Sequence, residues 1–264
     1  MWTLLSMLVV VSSASAAAHT PQPATVPVAQ VTVTPGTAVL ELDLGALKGT
    51  RLRQMAWSPD QTQLYLQTYA ANKDATVKEL FHYVLPVAGG APKRIDTPPA
   101  WAAGYWAWKS GQTAPDDSTW KIDVSTEKKI SSATAMPMGG DMARGGTVDP
   151  TGGVSVETVT ANAAQASNVS VYTMRLNGQT IGEWTNHPIM PGLTFGWGPA
   201  GSGLVAFAEK SAGRLTLMDR SGKTARVDGT KDVVLPAFTA DRSRLAYLEG
   251  RGRNKYALVI ATVR

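Results

Sequence analysis

The stretch Ala56-Trp57-Ser58-Pro59-Asp60-Gln61-Thr62-Gln63-Leu64-Tyr65-Leu66 joins an aromatic residue, a tight turn and an alternating strand. Proline fixes φ at the first turn position, and aspartate accepts a hydrogen bond from a following backbone amide. The same order recurs along the chain after Trp108, Val148, Trp197 and Phe238. These positions lie about 40 to 50 residues apart, which is the period of a four-stranded propeller blade.

The rest of the chain after Gly36 is also typical of β-structure. Apolar residues alternate or form short runs bounded by Gly, Pro, Asp or Asn, and no convincing helical period is present. The last repeat supplies three strands, while Leu40–Leu44 alternates cleanly ahead of the first repeat. We therefore predict an all-β propeller of five four-stranded blades, in which this N-terminal strand pairs with the last blade and closes the ring.

The turn at Ser58-Pro59-Asp60-Gln61, preceded by Trp57, resembles the WD40-like (PD40) repeat of TolB-type periplasmic propellers. The resemblance covers residues 52–264 and only the propeller portion of that family, since residues 19–51 leave no room for a separate N-terminal α/β domain. The family places glycine where this chain has Gln61. The resemblance implies a propeller of the cell envelope, and says little about its activity.

The N-terminal residues predict export. Residues 1–18 have the shape of a signal peptide, because a short apolar run, Leu4–Val11, precedes the small-residue site Ala14-Ser15-Ala16. Cleavage after Ala16 would leave a mature chain that begins at Ala17, and an uncleaved anchor is the alternative. We expect a flexible Pro- and Thr-rich lead at residues 19–38, a propeller domain at 39–264, a periplasmic or secreted location and no stable membrane insertion after cleavage.

Composition excludes several kinds of chemistry. The 264 residues include no cysteine and only three histidines, so thiol catalysis, disulfides and cysteine-ligated metals are ruled out. No nucleophile elbow, Walker loop or zinc-protease motif is present. We predict a non-catalytic interaction module without a cofactor or metal, and we expect Asp60, Asp149 and Asp241 to stabilise their turns. The alternative is a hydrolase or lyase with carboxylates in the central channel.

Two features point to a binding surface. Trp101 follows Pro98-Pro99 and is the tryptophan that we expect to be exposed. Residues 210–264 carry 12 Lys or Arg and five Asp or Glu, although the whole chain has a net charge of only +5. The positive residues Arg242, Arg244, Arg251, Arg253 and Lys255 flank one predicted hairpin.

This basic hairpin predicts an anionic partner. An envelope protein with an acidic face and an anionic envelope polymer both fit, and the mild overall charge does not favour nucleic acid. We expect a monomer. Alternatively, these side chains only keep an exposed edge of the sheet soluble.

Overall fold

The computed structural model describes residues 26–71, 77–102, 147–149, 154–160, 170–176, 179–186, 195–198, 202–208 and 213–264. These residues form antiparallel strands and almost no helix. A short 3-10 helix spans Val28–Gln30. In chain order the strands are β1 (Val33–Thr34), β2 (Ala38–Asp43), β3 (Arg51–Trp57), β4 (Gln63–Ala71), β5 (Val77–Pro86), β6 (Lys93–Ile95), β7 (Thr147–Asp149), β8 (Val154–Thr160), β9 (Ser170–Leu176), β10 (Gln179–Asn186), β11 (Phe195–Trp197), β12 (Val205–Ala208), β13 (Leu215–Met218), β14 (Thr224–Arg226), β15 (Val233–Phe238), β16 (Arg244–Gly250) and β17 (Lys255–Val263).

The described strands form four antiparallel sheets. Sheet I contains β3–β6, sheet II β7–β10 and sheet III β11–β14, each in sequential order. Sheet IV contains β15–β17, with β1 and β2 both paired to β17. The fold is all-β and is consistent with a propeller-like arrangement.

Four of the five predicted repeats coincide with these sheets. Trp57, Trp197 and Phe238 each end the first strand of a sheet, and Val148 lies within the first strand of sheet II. The remaining repeat, which begins at Trp108, lies outside the described residues, as do residues 1–25.

Neighbouring sheets pack face to face because alternate residues of each strand point to opposite faces. Leu64 and Leu66 of sheet I join Ala246 and Leu248 of sheet IV in one buried cluster. Sheets III and IV share a second cluster, which includes Leu217 and Tyr247. A third cluster joins sheets II and III through Trp184 and Phe207, whose stacked rings have centroids 4.3 Å apart.

The predicted pairing of the N-terminal strand with the last repeat is confirmed. Strand β2 is antiparallel to β17, with Leu42 opposite Tyr256 and Leu40 opposite Leu258. The strand spans Ala38–Asp43, slightly ahead of the predicted range. Its apolar side faces the core, where Leu42 is buried.

The predicted flexible lead at residues 19–38 is wrong from residue 26 onward. Strand β1 pairs with the end of β17, with Val33 opposite Val263. Val28 and Val31 are buried in the cluster between sheets III and IV. The sequence of this segment shows no periodic apolar face, because only isolated valines anchor it. These valines pack against a surface formed by strands that are distant in the sequence.

Candidate interaction surfaces

The turn between β16 and β17 carries the exposed cations Arg251, Arg253 and Lys255. The amide of Arg251 donates to the carbonyl of Lys255 (2.9 Å), and the amide of Lys255 donates to the carbonyl of Gly252 (3.3 Å). Gly252 and Asn254 have φ of 117° and 61°, a region that these two residue types adopt readily. The local sequence therefore builds a tight tip with its long cationic side chains in solvent.

One of these cations is held by an ion pair. Arg251 lies 2.7 Å from Glu249, and the side chains are 40% and 8% exposed respectively. The backbone amide of Lys231 also donates to Glu249 (3.3 Å). Within the described part of the chain, Arg253 and Lys255 have no ion pair, so their charges face solvent.

The buried carboxylate affects a neighbouring tyrosine. Burial raises the pKa of Tyr247 to about 12, and the negative charge of Glu249 adds to the rise. The Tyr247 phenol therefore stays protonated and neutral throughout the physiological range.

Arg242 and Arg244 do not belong to this tip, which corrects the predicted grouping. They lie before and at the start of β16, whereas Arg251 follows its end. A strand rises about 3.3 Å per residue, so the seven residues of β16 separate the two groups by about 20 Å. The sequence pattern placed all of these cations around one hairpin but did not distinguish its two ends.

Trp101 is half-buried, whereas we expected its side chain to be exposed. The amide of Ala102 donates to the carbonyl of Pro99 (2.9 Å), which closes a turn and directs Trp101 toward sheet I. Its ring packs against that of Tyr65 in a T-shaped arrangement, with centroids 6.3 Å apart. The two prolines predict an irregular segment correctly, but they do not predict which surface it packs against.

The turn between β3 and β4 is stabilised by Asp60, as the sequence predicts. Asp60 accepts hydrogen bonds from the Ser58 hydroxyl (2.6 Å), the Thr62 hydroxyl (2.8 Å) and the Thr62 amide (3.1 Å). These bonds lower the pKa of Asp60, with the Ser58 hydroxyl contributing most. Gln61, the residue after Asp60 in this turn, has φ of 58°.

The turn between β15 and β16 repeats this geometry. Asp241 accepts hydrogen bonds from the Thr239 hydroxyl (2.6 Å) and from the amide (2.9 Å) and hydroxyl (2.8 Å) of Ser243. Arg242 occupies the position of Gln61 and has φ of 63°. The Thr239 hydroxyl and then the Gln61 amide lower the pKa of Asp241 most strongly. The turn after Asp149 lies outside the described residues.

The two turns contact each other across the junction of sheets I and IV. The Gln61 side-chain amide donates to Asp241 (2.8 Å), and the Trp57 indole donates to the carbonyl of Ala237 (2.8 Å). The guanidinium of Arg244 lies over the Trp57 ring, 5.9 Å from its centroid. Sequence reasoning missed these contacts, since their partners lie about 180 residues apart.

A third aspartate joins the N-terminal segment to sheet III. Asp219 is 3% exposed, and it accepts hydrogen bonds from the amide of Val28 (2.8 Å) and the amide and hydroxyl of Ser221 (2.8 and 2.6 Å). Burial alone would raise the pKa of Asp219, but these hydrogen bonds outweigh it and lower the pKa. The turn pattern after Asp219 could have been found in the sequence; its bond to Val28 could not.

His82 contacts an aromatic neighbour. Its Nδ1 atom lies 2.7 Å from the Tyr65 hydroxyl, and the two rings stack with centroids 6.0 Å apart. The residue is half-buried. His187 lies outside the described residues. Within the described ranges, no three His, Asp or Glu side chains form a cluster that could hold a metal ion.

In the part of the chain that the structure describes, no helix is both long enough and apolar enough to cross a membrane.

Comparisons with known proteins give only distant structural likeness. No protein-family model and no curated protein matches the chain. Among solved structures, the chain is similar to an oligogalacturonate lyase in complex with manganese, with a TM-score of 0.24, 12% identity and coverage of 81% of this chain and 48% of that one. The chain is also similar to an oligogalacturonate lyase from Vibrio parahaemolyticus, with a TM-score of 0.24 and 11% identity. This match covers 80% of this chain and 65% of that one.

An uncharacterized protein from Listeria monocytogenes gives a TM-score of 0.23 at 9% identity, over 86% of this chain and 57% of that one. The chain thus spans about half to two thirds of the length of the structures that it matches. At these TM-scores the likeness supports no statement about function.

Proposed function

We propose that this protein is an exported, non-catalytic interaction module of the cell envelope that holds an anionic partner at the tip between β16 and β17. The observation that carries the proposal is the exposure of Arg253 and Lys255 beside Arg251 on one hydrogen-bonded turn. Clustered exposed cations attract anions over several ångströms in water, and added salt weakens that attraction.

The finer description of the fold is part of the same proposal. The four described sheets are four blades of a five-bladed, TolB-type propeller, and the pairing of β2 with β17 closes its ring. This closure would cover an edge of the last sheet that otherwise invites pairing with another chain. The apolar run and small-residue site near the N-terminus support export to the periplasm or beyond.

The proposed surface is narrower than the sequence predicted. Arg242 lies at the opposite end of β16, and Trp101 packs against Tyr65. The tip therefore comprises Arg251, Arg253 and Lys255. Since Arg251 compensates the buried charge of Glu249, its replacement would disturb folding as well as binding.

A test should neutralise the two cations that have no described ion pair. We expect Arg253→Gln with Lys255→Gln to weaken binding of the exported protein, which begins at Ala17, to envelope polyanions and acidic envelope proteins. The loss should be about 2- to 25-fold at low salt and smaller at moderate salt, since each exposed charge contributes about 0.2 to 1 kcal/mol. Binding is measured by titration calorimetry, with folding checked by thermal unfolding.

The matched control is Lys93→Gln with Lys223→Gln. Both of these residues are exposed, and they lie at the other ends of their sheets, Lys93 at the start of β6 and Lys223 just before β14. This control removes the same amount of charge, but away from the tip. We therefore expect it to bind like wild type. Equal binding by all three proteins, or equal loss in both variants, would show that the tip is not the binding surface.

A further inference from the structure

Residues 26–34, which we call the strap, pair with sheet IV separately from β2. The strap includes β1, which pairs with the C-terminal end of β17, where Thr34 lies opposite Thr262. Strand β2 pairs with the other half of β17, and residues 35–37 connect the two strands. The N-terminal part of the chain thus adds two separate segments to the same strand.

The strap and β2 also pack into different parts of the core. Val28 and Val31 are buried between sheets III and IV. Leu42 of β2 and Leu44, which follows it, are buried between sheets I and IV. Among the described residues, the two clusters have no member in common. Loss of the strap would therefore leave the pairing of β2 with β17 in place.

The strap makes few contacts with the rest of the protein. Its ladder with β17 is two residues long, whereas β2 has six residues. The amide of Val26 lies 3.4 Å from the carbonyl of Ser202, near the limit for a hydrogen bond. More than half of the strap's side chains are exposed, at Pro27, Ala29, Gln30, Thr32 and Thr34. Segments with so few buried contacts open locally more readily than the core does.

The surface that the strap covers, which we call the seat, recognises mainly backbone groups. Buried Asp219 accepts the amide of Val28 (2.8 Å). The backbone of Arg264 exchanges two hydrogen bonds with that of Thr32 (2.7 and 2.9 Å). Any extended peptide can supply these groups. The groove between sheets III and IV adds a preference for valine-sized side chains three residues apart, because it buries Val28 and Val31.

An empty seat would be unfavourable. Asp219 would lose the amide that reaches it from Val28, and the apolar side chains of the groove would be exposed to water. We therefore expect the strap to leave only when another segment takes its place. Such an occupant must share the properties of the strap, which are an extended backbone and two valine-sized side chains with the same spacing.

We propose that the seat is a peptide-binding site, at which an extended segment of a partner polypeptide replaces the strap. The segment adds a strand at the C-terminal end of β17 and places two valine-sized side chains in the groove. The seat is distinct from the basic tip, because Lys255 begins β17 and the strap pairs near its last residue. Binding at the seat therefore does not depend on the anionic partner proposed for the tip.

Hydrogen exchange of the exported protein tests whether the strap opens by itself. The amides of Val28, Val31 and Thr32 are all hydrogen-bonded. We expect them to exchange at least about tenfold faster than the hydrogen-bonded amides between β2 and β17, because local opening requires less free energy than opening of the core. Equal rates in the two groups would show that the strap opens only together with the sheet, and the proposal would be wrong.

A fluorescent peptide with the sequence of residues 26–35 and blocked ends serves as the probe for the seat. Val28→Ser with Val31→Ser in the protein removes both apolar anchors of its own strap. We expect this variant to bind the probe at least about tenfold more tightly than wild type, because its strap competes less well. The matched control, Ala29→Ser with Thr34→Ser, changes two exposed residues of the strap and should bind like wild type. Fluorescence anisotropy measures binding, and thermal unfolding checks the fold.

The outcomes decide both the site and its occupant. Tighter binding by the valine variant, lost when the probe carries the same two serines, supports the peptide site. A folded valine variant that does not bind the probe would refute it, and so would a valine variant that does not fold, since the strap would then be essential to the fold. If wild type forms a dimer that the valine variant does not form, the occupant is the strap of a second copy and the partner class is wrong. The tip variant should bind the probe like wild type, whether or not it binds anions.

Discussion

Gln61 shows how one side chain compensates an unfavourable backbone conformation. With φ of 58° it lies in the left-handed region, which costs a residue other than glycine about 1 kcal/mol or more. Its side-chain amide donates to Asp241 in the neighbouring sheet. A glycine at position 61 would relieve the backbone but would lack this bond between sheets I and IV.

Comparing two aspartates tests the bond between the turns. Asp60 and Asp241 accept equivalent hydrogen bonds within their own turns, but only Asp241 also accepts one from Gln61. We expect Asp241→Ala to lower Tm by a few degrees more than Asp60→Ala, because it also removes the hydrogen bond from Gln61. Such a bond contributes about 1 kcal/mol, and its exposure to solvent keeps the extra loss of Tm small. Equal losses of Tm in the two variants would show that the Gln61 contact contributes nothing.

Asp241 also makes the stability of the fold depend on pH, in a direction that its hydrogen bonds determine. Hydrogen bonding lowers the pKa of Asp241 in the folded state below the ordinary value of 3.8 for an aspartate. Ionised Asp241 therefore stabilises the fold above about pH 4, and that contribution is lost as the pH falls further. Denaturation at pH 7 and pH 3 should show a smaller difference between wild type and Asp241→Ala at pH 3.

At the scale of elements, the N-terminal segment ties sheet III to sheet IV. It leaves the Asp219 turn of sheet III at Val28 and reaches β17 of sheet IV through β1. Val28 and Val31 fill the apolar groove between these sheets. The segment thus acts as a strap, although its sequence resembles a flexible linker.

Removing the charge of Asp219 should loosen this strap. In Asp219→Asn an NH₂ group replaces one of two oxygens that both accept backbone amides, so a donor would face a donor. We expect a loss of about 1–3 kcal/mol in the free energy of unfolding and faster hydrogen exchange at the Val28 amide. Exposed Asp228→Asn is the control for charge. Unchanged exchange at Val28 would contradict the strap.

At the scale of the whole molecule, close backbone approach limits which residues fit between sheets. A Cβ atom on Gly196 of β11 would collide with the backbone carbonyl of Pro236 in β15. A Cβ on Gly182 of β10 would instead meet the flexible end of the Met218 side chain. The first contact joins two backbones, so neither partner can move aside without shifting a strand.

This difference predicts unequal effects of two equivalent substitutions. Gly196→Ala should lower the free energy of unfolding by about 1–3 kcal/mol or more, because overpacking displaces the backbone. Gly182→Ala should cost clearly less, because Met218 can change its side-chain conformation. Chemical denaturation of both variants measures the difference. A Gly182→Ala loss as large as that of Gly196→Ala would contradict the backbone contact between sheets III and IV.

The local features of this protein can be predicted from its sequence. Trp57 and the Asp60 turn, repeated at Trp197 and at Phe238 with Asp241, located the first strands of three sheets, because strand alternation and turn chemistry depend on neighbours in the chain. The alternation of Leu40–Leu44 likewise located the strand that pairs with β17.

Contacts between residues that are distant in the sequence depend on the tertiary structure. It placed Arg242 and Arg251 at opposite ends of β16, packed Trp101 on Tyr65, and joined Val28 to Asp219, 191 residues away. Local patterns fix the direction and spacing of side chains within one element. The partner of each exposed or buried group depends on how separate sheets pack, and no short stretch of this sequence records that packing.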